Sequence, residues 1–258
     1  MVSQAGEYLY CIIRCGEQRT FGDVAPLGGE SGSVYTVPHQ GQALVVSDAE
    51  AGQYDVTRAN MLAHQRVQER VMREFTVLPV RFGTVAAGHA PAQDIQKLLQ
   101  KRGEEFEALL ADMEGKVELG LKALWRDEKA IYQEILAENA AIRRLRDGLV
   151  GKPPEVARFQ GIPLGEMVKK ALDQKREREA AGLLASLRPL AYRTQESAIV
   201  VDRMIVNAAF LVARSREEEF DRAVRRLDED LGQRIIFRYV GPVPPYNFVN
   251  IVVNWLDL

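Results

Sequence analysis

The order of the predicted strands and helices constrains the fold of this chain most strongly. Tyr8–Ile13 is rich in aromatic and branched side chains, which is typical of a central strand. A glycine-rich connection follows, and then a hairpin with its turn at residues 39–42. Asp55 is placed to cap a helix with apolar residues at helical spacing, and Val77–Phe82 returns to strand character. Strand, loop, hairpin, helix and strand form a split βαβ pattern whose first helix has become a loop, so we predict a first domain at residues 1–88.

The rest of the chain repeats this order with larger helices. Pro91 opens a predicted helix, and Lys116–Trp125 alternates apolar and polar side chains as a half-buried strand does. Two long helices joined by a short connection predict an antiparallel helical hairpin. Two strands, a helix and a closing strand at residues 234–240 complete the pattern. We therefore expect an α+β protein whose second split βαβ domain, residues 89–241, carries a helical hairpin in its first crossover.

Local signals predict where several helices begin or break. Asp127 is placed to cap the first helix of the hairpin. Gly161-Ile162-Pro163 predicts a break in the second, because proline lacks the backbone donor that a helix needs. Ser215 and Glu218 have the spacing of a capping box at the last helix.

The C-terminal tail, residues 242–258, is predicted to dock back on the protein. Its prolines remove backbone donors, so the tail cannot extend a regular strand ladder. Apolar residues from Val249 to Trp255 then alternate with asparagines, and a free apolar end would promote aggregation. We expect the tail to lie against the N-terminal domain.

Composition and charge exclude several classes of partner. The formal charge of −2 argues against duplex DNA or an anionic membrane. No stretch approaches the ~20 apolar residues needed to span a bilayer, so we predict a cytoplasmic protein without nucleic-acid or lipid-membrane partners. Cys11 and Cys15 would lie about 13 Å apart along one strand, beyond the reach of a disulfide, and are predicted to be buried free thiols.

Residue patterns for catalysis or metal binding are missing from the sequence. His39, His64 and His89 stand far apart, with no pair such as His-x-x-x-His that one helix could present. Gly28–Ser33 lacks the Lys-Ser/Thr of a phosphate-binding loop and is predicted to be an ordinary loop. We predict no catalytic, cofactor-binding or metal-binding residues. The alternative is an enzyme whose catalytic residues are dispersed along the sequence, because local patterns cannot reveal such residues.

Arg81 lies in an apolar, strand-like segment, and two roles fit this position. As a structural residue, it would pair its guanidinium with a carboxylate or carbonyl group. As a functional residue, it would hold an anionic ligand. The structural role is favoured, because no second cation stands near Arg81 in the sequence.

Five motifs occur in order along the chain: Tyr8-Leu9-Tyr10, Leu-Pro-Val-Arg-Phe-Gly-Thr at 78–84, Val-Glu-Leu-Gly-Leu-Lys at 117–122, Asn-Ala-Ala-Phe-Leu-Val at 207–212 and Gly-Pro-Val-Pro-Pro-Tyr-Asn-Phe at 241–248. Together they resemble the gas vesicle protein F/L family (GvpF/GvpL), minor proteins required to build gas vesicles in prokaryotes. The resemblance covers essentially the whole chain. It implies two α+β domains with modified ferredoxin-like topology and no catalysis.

The resemblance also implies contact with the small hydrophobic shell protein during vesicle assembly. We expect a non-enzymatic, accessory structural protein that binds the major gas vesicle shell protein and other vesicle proteins, is monomeric when free, and is found in the gas vesicle and cytoplasm. The residues expected at protein contacts are those of two motifs: Pro79, Arg81, Phe82, Gly83, Pro242, Pro245, Tyr246 and Phe248. The alternative is a small-molecule-binding regulatory protein on ferredoxin-like domains, which predicts a concave apolar pocket with convergent polar groups.

Overall fold

The computed structural model, which describes residues 5–28, 32–50, 52 and 54–255, contains two compact units. The first unit comprises the described residues up to Glu118 together with those from Gly241 onward, and the second comprises residues 119–240. The helix that begins at Pro91 therefore belongs to the first unit, whereas the sequence pattern placed the domain boundary near residue 88. Residues 29–31 of the predicted Gly28–Ser33 loop lie outside the described residues.

The first unit is built on a six-stranded antiparallel sheet with two helices. Its elements are β1 (Ala5–Arg14), β2 (Thr20–Phe21), β3 (Val34–His39), β4 (Gln42–Glu50), α1 (Arg58–Met72), β5 (Leu78–Pro79), β6 (Val85–Ala87) and α2 (Pro91–Met113). The strand order is β2-β3-β4-β1-β5, and β6 pairs with β1 further along the strand. The predicted turn between β3 and β4 is present, with Gln40 and Gly41 both at positive φ, as a tight hairpin requires.

Strand β1 is buried on both faces, which explains its continuous apolar sequence. Tyr8 and Tyr10 share a core with Val67 and Val71 of α1, whereas α2 packs on β1, β3 and β4. The β1–β4 register shifts between Leu9 and Cys11, so Tyr10 is the extra residue of a β-bulge. Tyr8 and Tyr10 share a face because they are two residues apart, and the bulge brings Cys11 and Ile13 to the same core.

The cysteines confirm the expectation of buried free thiols. Cys11 and Cys15 are both buried in the first unit, and neither forms a disulfide. Burial raises the pKa of the Cys11 thiol. Cys11 therefore packs as a small apolar side chain rather than as a nucleophile.

The second unit is a four-stranded antiparallel sheet with four helices. Its elements are β7 (Lys116–Trp125), α3 (Glu128–Glu138), α4 (Ala140–Asp147), α5 (Pro154–Leu187), β8 (Arg193–Glu196), β9 (Met204–Ala213), α6 (Glu217–Leu231) and β10 (Ile235–Val243), of which β7 begins and β10 ends in the first unit. The strand order is β10-β7-β9-β8. Central strand β9 is almost wholly buried, as its apolar sequence predicts.

Several helix boundaries differ from those predicted. α5 is one continuous helix with Pro163 inside it, so the predicted break at 161–163 was wrong. Thr57 rather than Asp55 caps α1, since its hydroxyl accepts the backbone N–H of Asn60 at 3.1 Å. Asp127 caps α3 as predicted. The capping box predicted at Ser215 does not form, because the N-cap of α6 is Arg216 without a side-chain cap bond. Among the described residues, no helix is long and apolar enough to cross a membrane.

Candidate functional site

The segment from residue 78 to residue 87 forms one edge of the first sheet and is interrupted by a turn. Strand β5 pairs with the far part of β1 and β6 with its beginning, and the chain leaves the sheet between them. Gly83 takes a φ of +82°, which other residues rarely adopt, and its N–H donates to the Tyr8 hydroxyl at 2.9 Å. The turn therefore pushes residues 81–84 out of the sheet while keeping them hydrogen-bonded to the core. The strand predicted over Val77–Phe82 is accordingly only the two residues of β5.

The C-terminal segment is held against the same unit by a buried carboxylate. Glu118 is 3% exposed, and its two oxygens accept the backbone N–H of Asn247 at 2.8 Å and the side-chain amide of Asn247 at 2.6 Å. Burial raises the pKa of Glu118, and the two hydrogen bonds from Asn247 oppose that rise. Beyond Asn247, Val249 and Ile251 are buried, and Ile251 forms a parallel bridge with Val80. The tail thus lies beside β5 in the first unit.

The two segments meet at a partly open cleft of about 230 Å³. α1 forms one wall, residues 79–82 form a second, and the tail forms a third. The cleft is lined by Met61, His64, Pro79, Val80, Arg81, Phe82, Tyr246, Val249, Asn250 and Ile251. Residues about 160 positions apart in the sequence are therefore neighbours in one predominantly apolar depression.

A buried polar network supports the floor of the cleft. The Tyr8 hydroxyl hydrogen-bonds His64 Nδ1 at 3.0 Å, and His64 Nε2 hydrogen-bonds Gln68 Nε2 at 2.8 Å. The Gln68 amide also donates to the carbonyl of Tyr10. Burial lowers the pKa of His64 to about 4, against a smaller opposing effect of the Val80 carbonyl. Because His64 is neutral at physiological pH, it can orient neighbouring side chains but carries no charge toward a ligand.

Phe82 is fixed by aromatic contacts with this network. Its ring lies edge-on to His64, with ring centroids 5.6 Å apart, and edge-on to Tyr8 at 6.3 Å. The His64 ring stacks on Tyr10 at 5.6 Å. The apolar wall of the cleft is therefore built from mutually packed aromatic rings.

The environment of Arg81 differs from the one that its predicted structural role requires. The side chain is exposed at the cleft, and within the described ranges it forms no side-chain hydrogen bond or ion pair. The turn takes Arg81 out of the sheet, so its guanidinium does not need a buried carboxylate as a partner. Arg81 is therefore a solvent-facing cation beside an apolar depression, which is the arrangement that a carboxylate on an apolar partner would complement.

The predicted contact residues fall into three groups. Pro79, Arg81, Phe82 and Tyr246 line the cleft, whereas Gly83 provides the turn and Pro245 is a buried residue of the tail itself. The exposed Pro242 and half-buried Phe248 do not line it.

Sequence reasoning missed the contributions of α1 to the cleft. Met61 and His64 lie on successive turns of α1 and line the wall beside residues 79–82. The available signal was the three-residue spacing of Met61 and His64 on the predicted helix, outside its apolar stripe. That spacing identifies a helix face but does not tell which other segment covers it.

The described part of the chain contains no group of three or more His, Cys, Asp or Glu residues that could hold a metal ion. The cleft itself contains one histidine with a low pKa and no carboxylate. Its chemistry is that of a contact surface, with apolar area, one cation and the Asn250 amide, rather than that of paired acid and base groups.

Comparison with known proteins identifies the family of this chain. Residues 6–250 match the family model described as "Gas vesicle synthesis protein GvpL/GvpF", and the chain therefore belongs to this family of gas vesicle proteins. The family is structural or accessory rather than catalytic.

The similar relatives are F-type proteins. Gas vesicle protein F of Nostoc sp. (strain PCC 7120) is 29% identical over 249 residues, which cover 96% of this chain and 99% of that protein. Gas vesicle protein F1 of Halobacterium salinarum is 27% identical over 250 residues, or 96% of this chain and 94% of that protein.

Two crystal structures have similar folds. GvpF from Anabaena sp. PCC7120 superposes with a TM-score of 0.80 at 29% identity, covering 96% of this chain and 100% of that one. GvpF from Microcystis aeruginosa gives a TM-score of 0.73 at 28% identity, covering 94% and 98%. The mixed fold with two antiparallel sheets is therefore that of solved GvpF structures.

Proposed function

We propose that this protein is a non-enzymatic assembly factor that binds the major gas vesicle shell protein through the cleft of its first unit. Membership of the gas vesicle family supports the vesicle role. The single observation that carries the choice of surface is the free guanidinium of Arg81 beside the apolar cleft. A shell subunit must cover apolar surface before it is incorporated, and a cleft of this kind can receive one apolar side chain while Arg81 pairs with a neighbouring carboxylate.

Under the same proposal, the protein is monomeric when free, contacts other accessory vesicle proteins, and becomes a minor component of the vesicle. We also infer that each unit is a modified ferredoxin-like, split βαβ domain. The element order β-helices-β-β-α-β of the second unit, with strand order β10-β7-β9-β8, supports this inference. The first unit supports it less directly, because a loop replaces its first helix.

The alternative regulatory role requires a pocket that encloses a small molecule. The cleft volume of about 230 Å³ lies below the ~300–1,000 Å³ typical of small-molecule sites, and its wall is open at Tyr246, which is 38% exposed. These dimensions favour the docking of a protein side chain.

The decisive experiment is a pulldown of the purified shell subunit by the wild-type protein and by Arg81→Ala and Arg81→Glu variants. Loss of one charge-assisted hydrogen bond at the edge of a contact should weaken capture about tenfold, and charge reversal should weaken it further. Arg81 is exposed and without a described partner, so the free energy of unfolding should stay within about 0.5 kcal/mol of wild type.

Arg66→Ala is the matched control, because Arg66 is an exposed arginine of α1 that does not line the cleft. Capture that is equal for wild type and Arg81→Glu would reject the cleft as the contact surface. Failure of the wild-type protein to capture the shell subunit at all would reject the proposed binding function.

A further inference from the structure

The first half of α5 exposes an apolar face. Phe159 is 77% exposed and Ile162 is 58% exposed, and Val156 and Met167 are exposed on the same helix. From Val156 to Met167 the stripe is about 16 Å long at the rise of an α-helix. This is far more exposed aliphatic and aromatic area than a helix needs if its only role is to pack within its own unit.

The exposed face is opposite to the face that packs in the unit. Ala157, Gly161, Leu164 and Val168 are half-buried and recur at three- and four-residue spacing, and α5 contacts α4. On a helical projection the exposed stripe lies about 145° away from that face. The stripe therefore has no cover within the described part of its unit.

The surroundings of this stripe are basic. Residues 140–170 contain seven Lys or Arg residues and three Asp or Glu residues, for a formal charge of +4 in a chain whose total is −2. On α5 itself, Arg158, Lys169 and Lys170 are exposed near the stripe together with Glu155 and Glu166, which leaves a net positive charge. An apolar stripe within a basic region attracts apolar groups flanked by carboxylates.

We propose that this surface, the α5 stripe with its basic surroundings, docks an amphipathic helix with an apolar face and acidic flanks from a partner protein. The site is separate from the cleft and does not depend on the proposed binding of the shell subunit. Val156, Phe159 and Ile162 recur at three-residue spacing on α5, which matches the spacing by which a second helix presents its own apolar side chains.

Two other occupants fit the surface less well. The first is a lipid bilayer. Glu166 lies within the exposed face, and burying its carboxylate in a bilayer is costly, whereas a partner helix can oppose that carboxylate with a cation. A second copy of this chain offers the acidic helix α6, but the apolar residues Phe220 and Val224 of α6 are buried in its own unit. The other apolar side chains Ala223, Leu227 and Leu231 are half-buried, so α6 offers no exposed apolar stripe to cover that of α5.

The test uses a fluorescent peptide of about five helical turns, with leucines at three- and four-residue spacing and glutamates at its other positions. A control peptide carries lysines in place of the glutamates. The full-length protein should bind the acidic peptide at least about tenfold more tightly than the basic one. The double variant Phe159→Ala with Ile162→Ala should weaken that binding about tenfold or more, while alanine keeps the helix intact by circular dichroism.

Val200→Ala provides the matched control, because Val200 is 69% exposed in the same unit but lies between β8 and β9. Its affinity for the acidic peptide should equal that of wild type. Arg81→Glu should also leave peptide binding unchanged, so the peptide experiment tests the α5 stripe independently of the proposed function of the cleft.

Three outcomes would overturn the proposal. The first is no saturable binding of the acidic peptide, or binding that the double variant does not weaken. The second is capture of phosphatidylglycerol vesicles, sensitive to the double variant, without peptide binding, which would assign the stripe to a lipid surface. The third is a concentration-dependent dimer in sedimentation that the double variant abolishes, which would assign the stripe to a second copy.

Discussion

At the scale of single residues, burial decides the charge state of His64. The residue is 5% exposed and hydrogen-bonded to Tyr8 and Gln68, and burial lowers its pKa from 6.5 to about 4. Because the folded state holds His64 neutral, the unfolded state binds more protons as the pH falls below 6.5. The contribution of His64 to stability is therefore complete above the unfolded pKa and is lost progressively as the pH falls toward the folded pKa.

Urea unfolding at about pH 7.5 and about pH 5.0 tests this effect. Between these two values the wild-type protein should lose about 2 kcal/mol more unfolding free energy than His64→Gln, which has no titrating ring. The comparison of wild type with variant cancels the titration of the surface carboxylates. Equal losses for the two proteins would mean that His64 titrates normally in the folded state.

The contact between Glu118 and Asn247 is a second interaction between single residues that stabilises the fold. Both Glu118 oxygens are used by Asn247, so removal of the carboxylate leaves the backbone N–H of Asn247 without its acceptor. We expect Glu118→Ala to lower the unfolding free energy by about 2–4 kcal/mol, since it removes both hydrogen bonds that Asn247 donates to a buried carboxylate.

A double-mutant cycle with Asn247→Ala measures the coupling directly. Since the two side chains are in direct contact, the coupling energy should be about 1–2 kcal/mol, and amides of residues 245–252 should exchange faster in Glu118→Ala. Additive effects of the two substitutions would show that the contact contributes no stability.

At the scale of elements, α5 shows how a local signal is overridden. Gly161, Pro163 and Gly165 disfavour a helix, yet α5 continues through them. The prediction of a break was wrong because it considered only the proline. The face of α5 that contacts α4 still packs when the one backbone hydrogen bond at Pro163 is missing. The unfavourable free energy of placing these residues in a helix remains in the folded protein, and substitution can remove it.

Pro163→Ala should raise the unfolding free energy by about 1–3 kcal/mol, because alanine restores the backbone donor and removes the clash with the preceding turn. Gly165→Ala should add about 0.5–1 kcal/mol, since an added Cβ meets no atom within 4 Å. Differential scanning calorimetry of the two variants measures both gains. A lower unfolding temperature for Pro163→Ala would show that the helix requires its proline.

Other elements follow directly from their local patterns. Strand β7, the hairpin between β3 and β4 and the Asp127 cap of α3 are all present as predicted, but β7 is not half-buried, because Glu118 and Leu124 on its second face are buried as well. Each depends on residues two to four positions apart, so the sequence contains the whole signal. The caps of α1 and α6 were mispredicted because several polar residues stand near each helix start, and the geometry of the preceding chain selects among them.

At the scale of the whole molecule, the C-terminal tail completes the first unit. Val249 and Ile251 are 5% and 1% exposed, and Arg102 of α2 donates to the carbonyl of Val252 at 2.8 Å. Burial of two branched apolar side chains contributes about 3–6 kcal/mol. The tail is therefore part of the hydrophobic core of that unit and not an appendage.

Truncation after Phe248 should lower the stability of the first unit by about 3–6 kcal/mol. Hydrogen exchange should become faster in β1 and α1, while amides in α6 of the second unit should keep their wild-type protection. A truncated protein with unchanged exchange in β1 would contradict a structural role for the tail. The substitution Val252→Ser, at a side chain that is 45% exposed, is the control and should leave protection in β1 unchanged.

The sequence by itself determined most elements and the five motifs that resemble the gas vesicle F/L family, because these depend on neighbouring residues and on motif order. Only the tertiary structure decided that α2 belongs to the first unit, that residues 79–82 and 246–251 form one cleft with Met61 and His64, and that Arg81 faces solvent. The physical reason is that burial and partner choice depend on segments up to about 190 positions apart, and no local periodicity specifies which of them meet.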